Sequence, residues 1–199
     1  MKQITITMTV LLVTIIVNLG HGQSKGANEL KVGYGALSSI QFLDLANDLT
    51  IISGTLGSMS YENKKYGNTI YGSYKHAIND NIMLGGTVAF ERVTDNAISG
   101  NKKIGERDSK TYTAALEAEY YYISQTFIRL YSGLGAGYSF NKQEFTSTDS
   151  TIKNQEEKFN HFNFHVNALG IRVGNALAAF AEVGFGYKGI VNVGLSYQF

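Results

Sequence analysis

The sequence predicts an all-β chain, an eight-stranded antiparallel transmembrane β-barrel with a short amphipathic helix in its first outer loop. Three observations carry that prediction. Eight segments alternate apolar or aromatic residues with small or polar ones at a period of two, which marks strands with one oily and one wet face. The connections alternate between short turns and long polar stretches, as they do in membrane-spanning barrels. The last ten residues, IVNVGLSYQF, set Val191, Val193, Leu195 and Tyr197 against Asn192, Gly194, Ser196 and Gln198 and finish on Phe199. A terminal aromatic strand has an interfacial place in such a barrel and little reason to exist in a soluble domain.

Each segment in turn sorts into an outward and an inward set. The first sets Leu30, Val32, Tyr34 and Ala36 outward against Lys31, Gly33 and Gly35. The second has Ile70, Gly72 and Tyr74 against Tyr71, Ser73 and Lys75, and the third Leu84, Gly86, Val88 and Phe90 against Gly85, Thr87, Ala89 and Glu91. The fourth is the cleanest, with Tyr112, Ala114, Leu116, Ala118 and Tyr120 against Thr113, Ala115, Glu117 and Glu119. In the fifth, Ile128, Leu130, Leu134, Ala136, Tyr138 and Phe140 oppose Arg129, Tyr131, Gly133, Gly135 and Gly137. The sixth places Phe162, Phe164, Val166 and Ala168 outward against Asn163, His165 and Asn167. Its parity blurs at Leu169–Ile171, where a β-bulge would restore it. The seventh sets Ala181, Val183, Phe185 and Tyr187 outward against Glu182, Gly184 and Gly186, and the terminal strand is the eighth.

Loop lengths orient the barrel. Asn79-Asp80-Asn81, Ser124-Gln125-Thr126 and Gly174-Asn175-Ala176 are short turns on the periplasmic side. The stretches 38–68, 94–109 and 141–158 are long, polar and without periodicity, as outer loops are. The last outer hairpin, Tyr187-Lys188-Gly189, is very short. In the first loop Phe42, Leu45, Ala46 and Leu49 fall at helical spacing, and Ser38 with Gln41 has capping-box spacing. A helix over 39–50 is expected, resting on the rim or gating a lateral opening.

Composition narrows the class. Residues 1–22 read as a cleaved secretory signal, because Lys2 precedes an apolar run from Ile4 to Val17 and Gly20 and Gly22 flank the expected cleavage point. That run is shorter than the roughly 20 residues a membrane helix needs. Residues 23–199 then form one barrel domain. Without Lys2 the formal charge of +1 falls to zero, so no electrostatic footprint for nucleic acid exists. The absence of Cys excludes disulfides and thiolate metal sites, and the absence of Pro suits a backbone committed to ladders. Mean hydropathy of −0.09 argues against a helical membrane protein.

Collected by parity, the inward charges are Lys31, Lys75, Arg129 and Arg172 against Glu91, Glu117, Glu119 and Glu182. An eight-stranded cylinder is wide enough only for its own side chains, and buried charges need partners. The balance predicts a closed salt-bridge network, with an ion pair between Arg129 and Glu117 or Glu119. Inward glycines make room for the large side chains.

The closing hairpin FAEVGFGYKGIVNVGLSYQF and the preceding ALGIRVG carry a resemblance to the outer-membrane protein β-barrel domain family, the small porin-like and opacity-type barrels of Gram-negative bacteria. The resemblance covers residues 24–199. It implies an outer-membrane location, contact with outer-membrane lipid and lipopolysaccharide, and delivery to the barrel assembly machinery through the strand ending at Phe199. Some eight-stranded relatives modify lipid A with a paired His and Ser. Here His161 is followed two positions on by Asn163 and His165 by Asn167, so no such pair lies locally, and His76 falls near the periplasmic interface. No catalytic, metal or cofactor residue is assigned. The resulting expectation is a non-enzymatic structural or surface-interaction protein whose external partner would meet loops 94–109 and 141–158. The alternatives are a small transporter or narrow channel for an apolar or amphipathic solute, and a lipid-modifying enzyme. A soluble calyx fits poorly because it would turn the apolar face inward.

Overall fold

A computed structural model describes residues 25–37, 60–66, 68–99, 102–148 and 155–199. Among the described residues there are nine strands: β1 Asn28–Ala36, β2 Ser60–Tyr66, β3 Thr69–Ala77, β4 Ile82–Ser99, β5 Lys102–Ser124, β6 Ile128–Ser147, β7 Gln155–Gly174, β8 Leu177–Gly186 and β9 Val191–Gln198. All pairings are antiparallel. They run β4-β3-β1-β9-β8-β7-β6-β5, and β4 pairs with β5 to close an eight-stranded barrel. β2 is additional and adds to the far half of β4, with Ser60 opposite Ile98. The signal at 1–22 and the helix at 39–50 lie outside the described residues.

The predicted parity governs the wall. Leu116, Val88, Leu134 and Val32 point outward and are 65–76 % exposed, whereas Thr113, Glu117 and Glu119 between them are buried. Two aromatic belts bound this apolar band. Tyr120, Tyr122, Phe127 and Phe199 mark the end with the short turns, and Tyr34, Tyr112, Phe140 and Phe162 the opposite rim. At the first turn, Asn79 Oδ1 accepts hydrogen bonds from the amides of Asn81 and Ile82 at 2.9 and 2.8 Å, an Asx turn fixed by its own side chain. The β-bulge expected in the sixth segment is present: the register slips at Asn167/Leu169, so that Ala168 and Leu169 both face outward and Arg172 returns to the lumen.

Three expectations are corrected. The stretches 94–109 and 141–158 are largely strand, because β4 pairs with β5 as far as Ser99–Lys102 and β6 with β7 as far as Phe145–Gln155. Above the apolar band both faces meet polar surroundings, so these strands lack the alternation that signals a strand elsewhere. β2 likewise occupies part of the expected first loop 38–68. Tyr187 points inward and is 3 % exposed. The preceding Gly186 adopts φ +142°, a backbone open to glycine, and this turns the chain over the barrel mouth.

Candidate functional site

The short β8–β9 hairpin folds Tyr187 and Lys188 into the lumen, where both are buried. There they join a network of inward side chains from seven strands. Lys188 Nζ lies 3.2 Å from Glu117 and 3.4 Å from Glu182. The Tyr187 hydroxyl donates to Glu117 Oε1 at 2.6 Å. Lys75 reaches Glu117 at 2.6 Å and also pairs with Glu119. Lys31 bonds Glu119 at 2.8 Å, approaches Glu29 at 3.3 Å and Glu182 at 3.6 Å, and sits 4.2 Å from the centre of the Tyr131 ring. Nearer the turns, Arg172 Nε lies 3.0 Å from Glu29 and donates to Ser196 Oγ at 2.8 Å. Tyr121 donates to Glu119 at 2.9 Å and Tyr131 to Glu182 at 2.8 Å, with the two rings stacked 4.8 Å apart.

Glycine makes this packing fit. A Cβ on Gly33 would collide with the Tyr71 ring, and one on Gly170 with the Tyr131 ring. Lys31, Lys75, Lys188 and Arg172 thus interleave with Glu29, Glu117, Glu119 and Glu182, and each carboxylate has at least two cationic or phenolic contacts. This density is what makes burying so many charges tolerable.

Most of the expected lumen charges belong to this lattice, with three revisions. The β5–β6 register puts Arg129 opposite Ser124, not level with Glu119 as expected. Arg129 instead hydrogen-bonds the Gln198 side chain and the Gln125 carbonyl. β5 runs on to Ser124 before a tight turn, so Glu119 pairs with Gly133, and a bulge between Tyr121 and Ile123 adds one more residue to the shift. It shifts the hairpin in a way that counting back from the turn does not reveal. Lys188 and Glu29 were missed. Glu29 shares the parity of Lys31 and was legible one step further along β1, whereas the inward fold of Lys188 depends on the hairpin geometry. Glu91 is buried as expected, but nearer the rim. There Thr69, Ala89, Glu91, Thr111, Thr113, Asn163 and Tyr187 line a recess of about 10 Å³, room for a single water.

The histidines do not converge. His165 is buried with its ring 5.4 Å from Tyr187, and neither ring nitrogen has a hydrogen-bond partner among the described residues. His161 stacks on Phe159 at 6.1 Å, and His76 meets Asn28 Oδ1 at 2.9 Å near the turns. Among the described residues no three His, Asp or Glu side chains are grouped to hold a metal.

No protein-family model matches the sequence, and no curated protein does. Among solved structures, the outer membrane protein OprG from Pseudomonas aeruginosa is similar with a TM-score of 0.50 at 11 % identity, over 89 % of this chain and 98 % of that one. Ail, the attachment invasion locus protein of Yersinia pestis, gives a TM-score of 0.46 at 16 % identity, over 88 % of this chain and 99 % of Ail. Its complex with the heparin analogue sucrose octasulfate gives 0.48 at 15 % identity over the same shares. The identities are low and the OprG likeness is one of fold. Together with the closed wall it gives the fold: the chain is a closed eight-stranded antiparallel β-barrel, similar in fold to the outer membrane protein OprG.

Proposed function

We propose that the protein is a non-enzymatic integral outer-membrane barrel with a closed lumen, acting as a structural or surface-interaction element. The observation that supports this is the filled interior. A lattice of paired charges crosses the lumen, and the recess above it has room for about one water. Such a lumen offers no continuous path to a solute. It acts as a rigid interior brace, holding the wall that raises β4–β7 above the aromatic belt. An external partner would meet those raised hairpins, in the stretches 94–109 and 141–158. A transporter would need the lattice to part, and an enzyme would need reactive groups brought together that the histidines do not supply.

Two measurements test this reading. The refolded chain should migrate differently before and after boiling on a denaturing gel, and it should release no fatty acid from lipopolysaccharide or phospholipid vesicles. Equal migration together with a detergent-free soluble monomer would overturn the membrane reading. Steady lipid hydrolysis would put the enzyme alternative in its place.

A further inference from the structure

Where β4–β7 leave the apolar band, the register builds three rows on the outer wall. Phe90, Tyr112 and Phe140 are direct cross-strand neighbours, with the Phe90 and Tyr112 rings 5.0 Å apart. Two residues further up, Arg92 lies opposite Lys110, Lys110 opposite Lys142, and Lys142 opposite Lys158. Two residues further again, Asp108, Glu144 and Glu156 are neighbours in the same way. Like charges directly opposite destabilise a ladder, so folding alone does not favour four cations on four consecutive strands.

The acidic row offsets only part of this repulsion. Arg92 Nε donates to Asp108 at 2.8 Å, and Lys110 lies 3.3 Å from the same carboxylate. Lys142 contacts Glu144 at 2.6 Å and Glu156 at 3.2 Å, and Lys158 contacts Glu156 at 3.0 Å. The Glu144 and Glu156 hydrogen bonds raise the pKa of Lys142, and the Asp108 bond raises that of Arg92. Three carboxylates serve four cations, and they stand on the side away from the aromatic belt. The other four barrel strands end near this height, and among the described residues their outer faces carry no such row.

Aromatic belts sit at the level of lipid headgroups, which puts the basic row at the height of the headgroup phosphates. Arg and Lys are the side chains that bind phosphate. At about 4.8 Å per strand the row is roughly 14 Å long, too wide for one phosphodiester and suited to a headgroup carrying two phosphates. We propose that Arg92, Lys110, Lys142 and Lys158 form a binding site for a diphosphorylated glycolipid, whose acyl chains lie against the apolar wall below. The inference rests on the reading of the chain as an outer-membrane barrel.

The test titrates the full chain, folded in detergent micelles, with diphosphoryl lipid A and counts bound lipid by native mass spectrometry. Lys110→Gln with Lys142→Gln should weaken binding by roughly 30-fold, in keeping with the contribution of two basic residues at an anionic membrane surface. Glu144→Gln with Glu156→Gln should tighten it, because the competing carboxylates are gone. Fully dephosphorylated lipid A should bind the native chain as weakly as it binds the lysine variant. Three results would each overturn the site: equal binding by the native chain and the lysine variant, phosphatidylglycerol binding as well as diphosphoryl lipid A, or weaker binding by the glutamate variant. The gel shift on boiling separates the two claims. Its loss in the native chain would refute the barrel reading, and its retention alongside any of those three results would refute only the site.

Discussion

In the half of the lumen nearer the turns, Glu29, Glu117, Glu119 and Glu182 each touch at least two cationic or phenolic groups. The buried polar atoms with no hydrogen-bond partner among the described residues are mostly neutral, among them the hydroxyls of Thr69, Ser73 and Thr87 and both ring nitrogens of His165, with Ser124 Oγ, Asn175 Oδ1 and Gln198 Nε2 near the turns, while the Glu29 oxygens are held by ion pairs alone. The difference follows from what each group costs when left alone. An unpaired carboxylate in a low-dielectric interior costs several kcal/mol, so the charges had to be arranged as a lattice. A hydroxyl costs far less, about 1–3 kcal/mol, and one water can serve it where there is room. The charged groups are therefore arranged as a brace, and the neutral polar groups around them do not need one.

The largest expected effect tests that contrast directly. Glu119→Ala leaves Lys31 and Lys75 short of their shared partner and should cost about 3–5 kcal/mol. Urea unfolding from lipid vesicles, followed by tyrosine fluorescence, would read it. Thr87→Val, which removes a buried hydroxyl with no hydrogen-bond partner among the described residues, should leave stability unchanged or raise it by about 1 kcal/mol. Equal losses would mean that charged and neutral lumen groups share one environment.

A second comparison sets the band against the raised strands on a single outer face. Leu116→Arg places a cation in mid-band on a residue 76 % exposed and should cost about 2–4 kcal/mol, while Thr94→Arg, above the belt, should cost about 0–1 kcal/mol. Refolding yield into vesicles and the unfolding midpoint both report it. If the two variants behave alike, the apolar band has been drawn at the wrong height.

The same boundary explains what could be read from the sequence. Within the apolar band the alternation identified which side chains face inward, because an apolar outer surface on one side and a charged lumen on the other impose a period of two. It failed above Phe90 and Phe140, where both faces are polar and the strands continue unannounced to Ser99 and Ser147. The blurred stretch at Leu169 gave away its bulge, since two adjacent outward residues break parity visibly. The end of β5 did not show in the same way, because the alternation fades at Tyr120 while the strand runs on through a bulge to Ser124, and Arg129 was misplaced as a result. Lys188 was hidden for another reason. A residue in a two- or three-residue turn has no parity, and only the positive φ of Gly186 and Gly189 shows the hairpin bending over the mouth.

The smallest expected effect concerns packing within the lumen. Gly33→Ala drives a methyl group into the Tyr71 ring and should cost about 1–3 kcal/mol by overpacking. Gly86→Ala, on the outer wall, meets nothing nearer than 3.7 Å and should leave the unfolding midpoint unchanged or slightly higher. A neutral Gly33→Ala would show that the interior is looser than the lattice requires.

The most direct test of the closed, charge-braced lumen is conductance of the refolded full chain in a planar lipid bilayer. The native protein should give no resolved current steps across the voltage range the bilayer tolerates. The double variant Tyr187→Gly, Lys188→Gly, which strips the hairpin from Glu117 and Glu182, should admit a small leak that favours cations. Reproducible steps of one size from the native protein, unchanged in that variant, would contradict the account and make the barrel a channel.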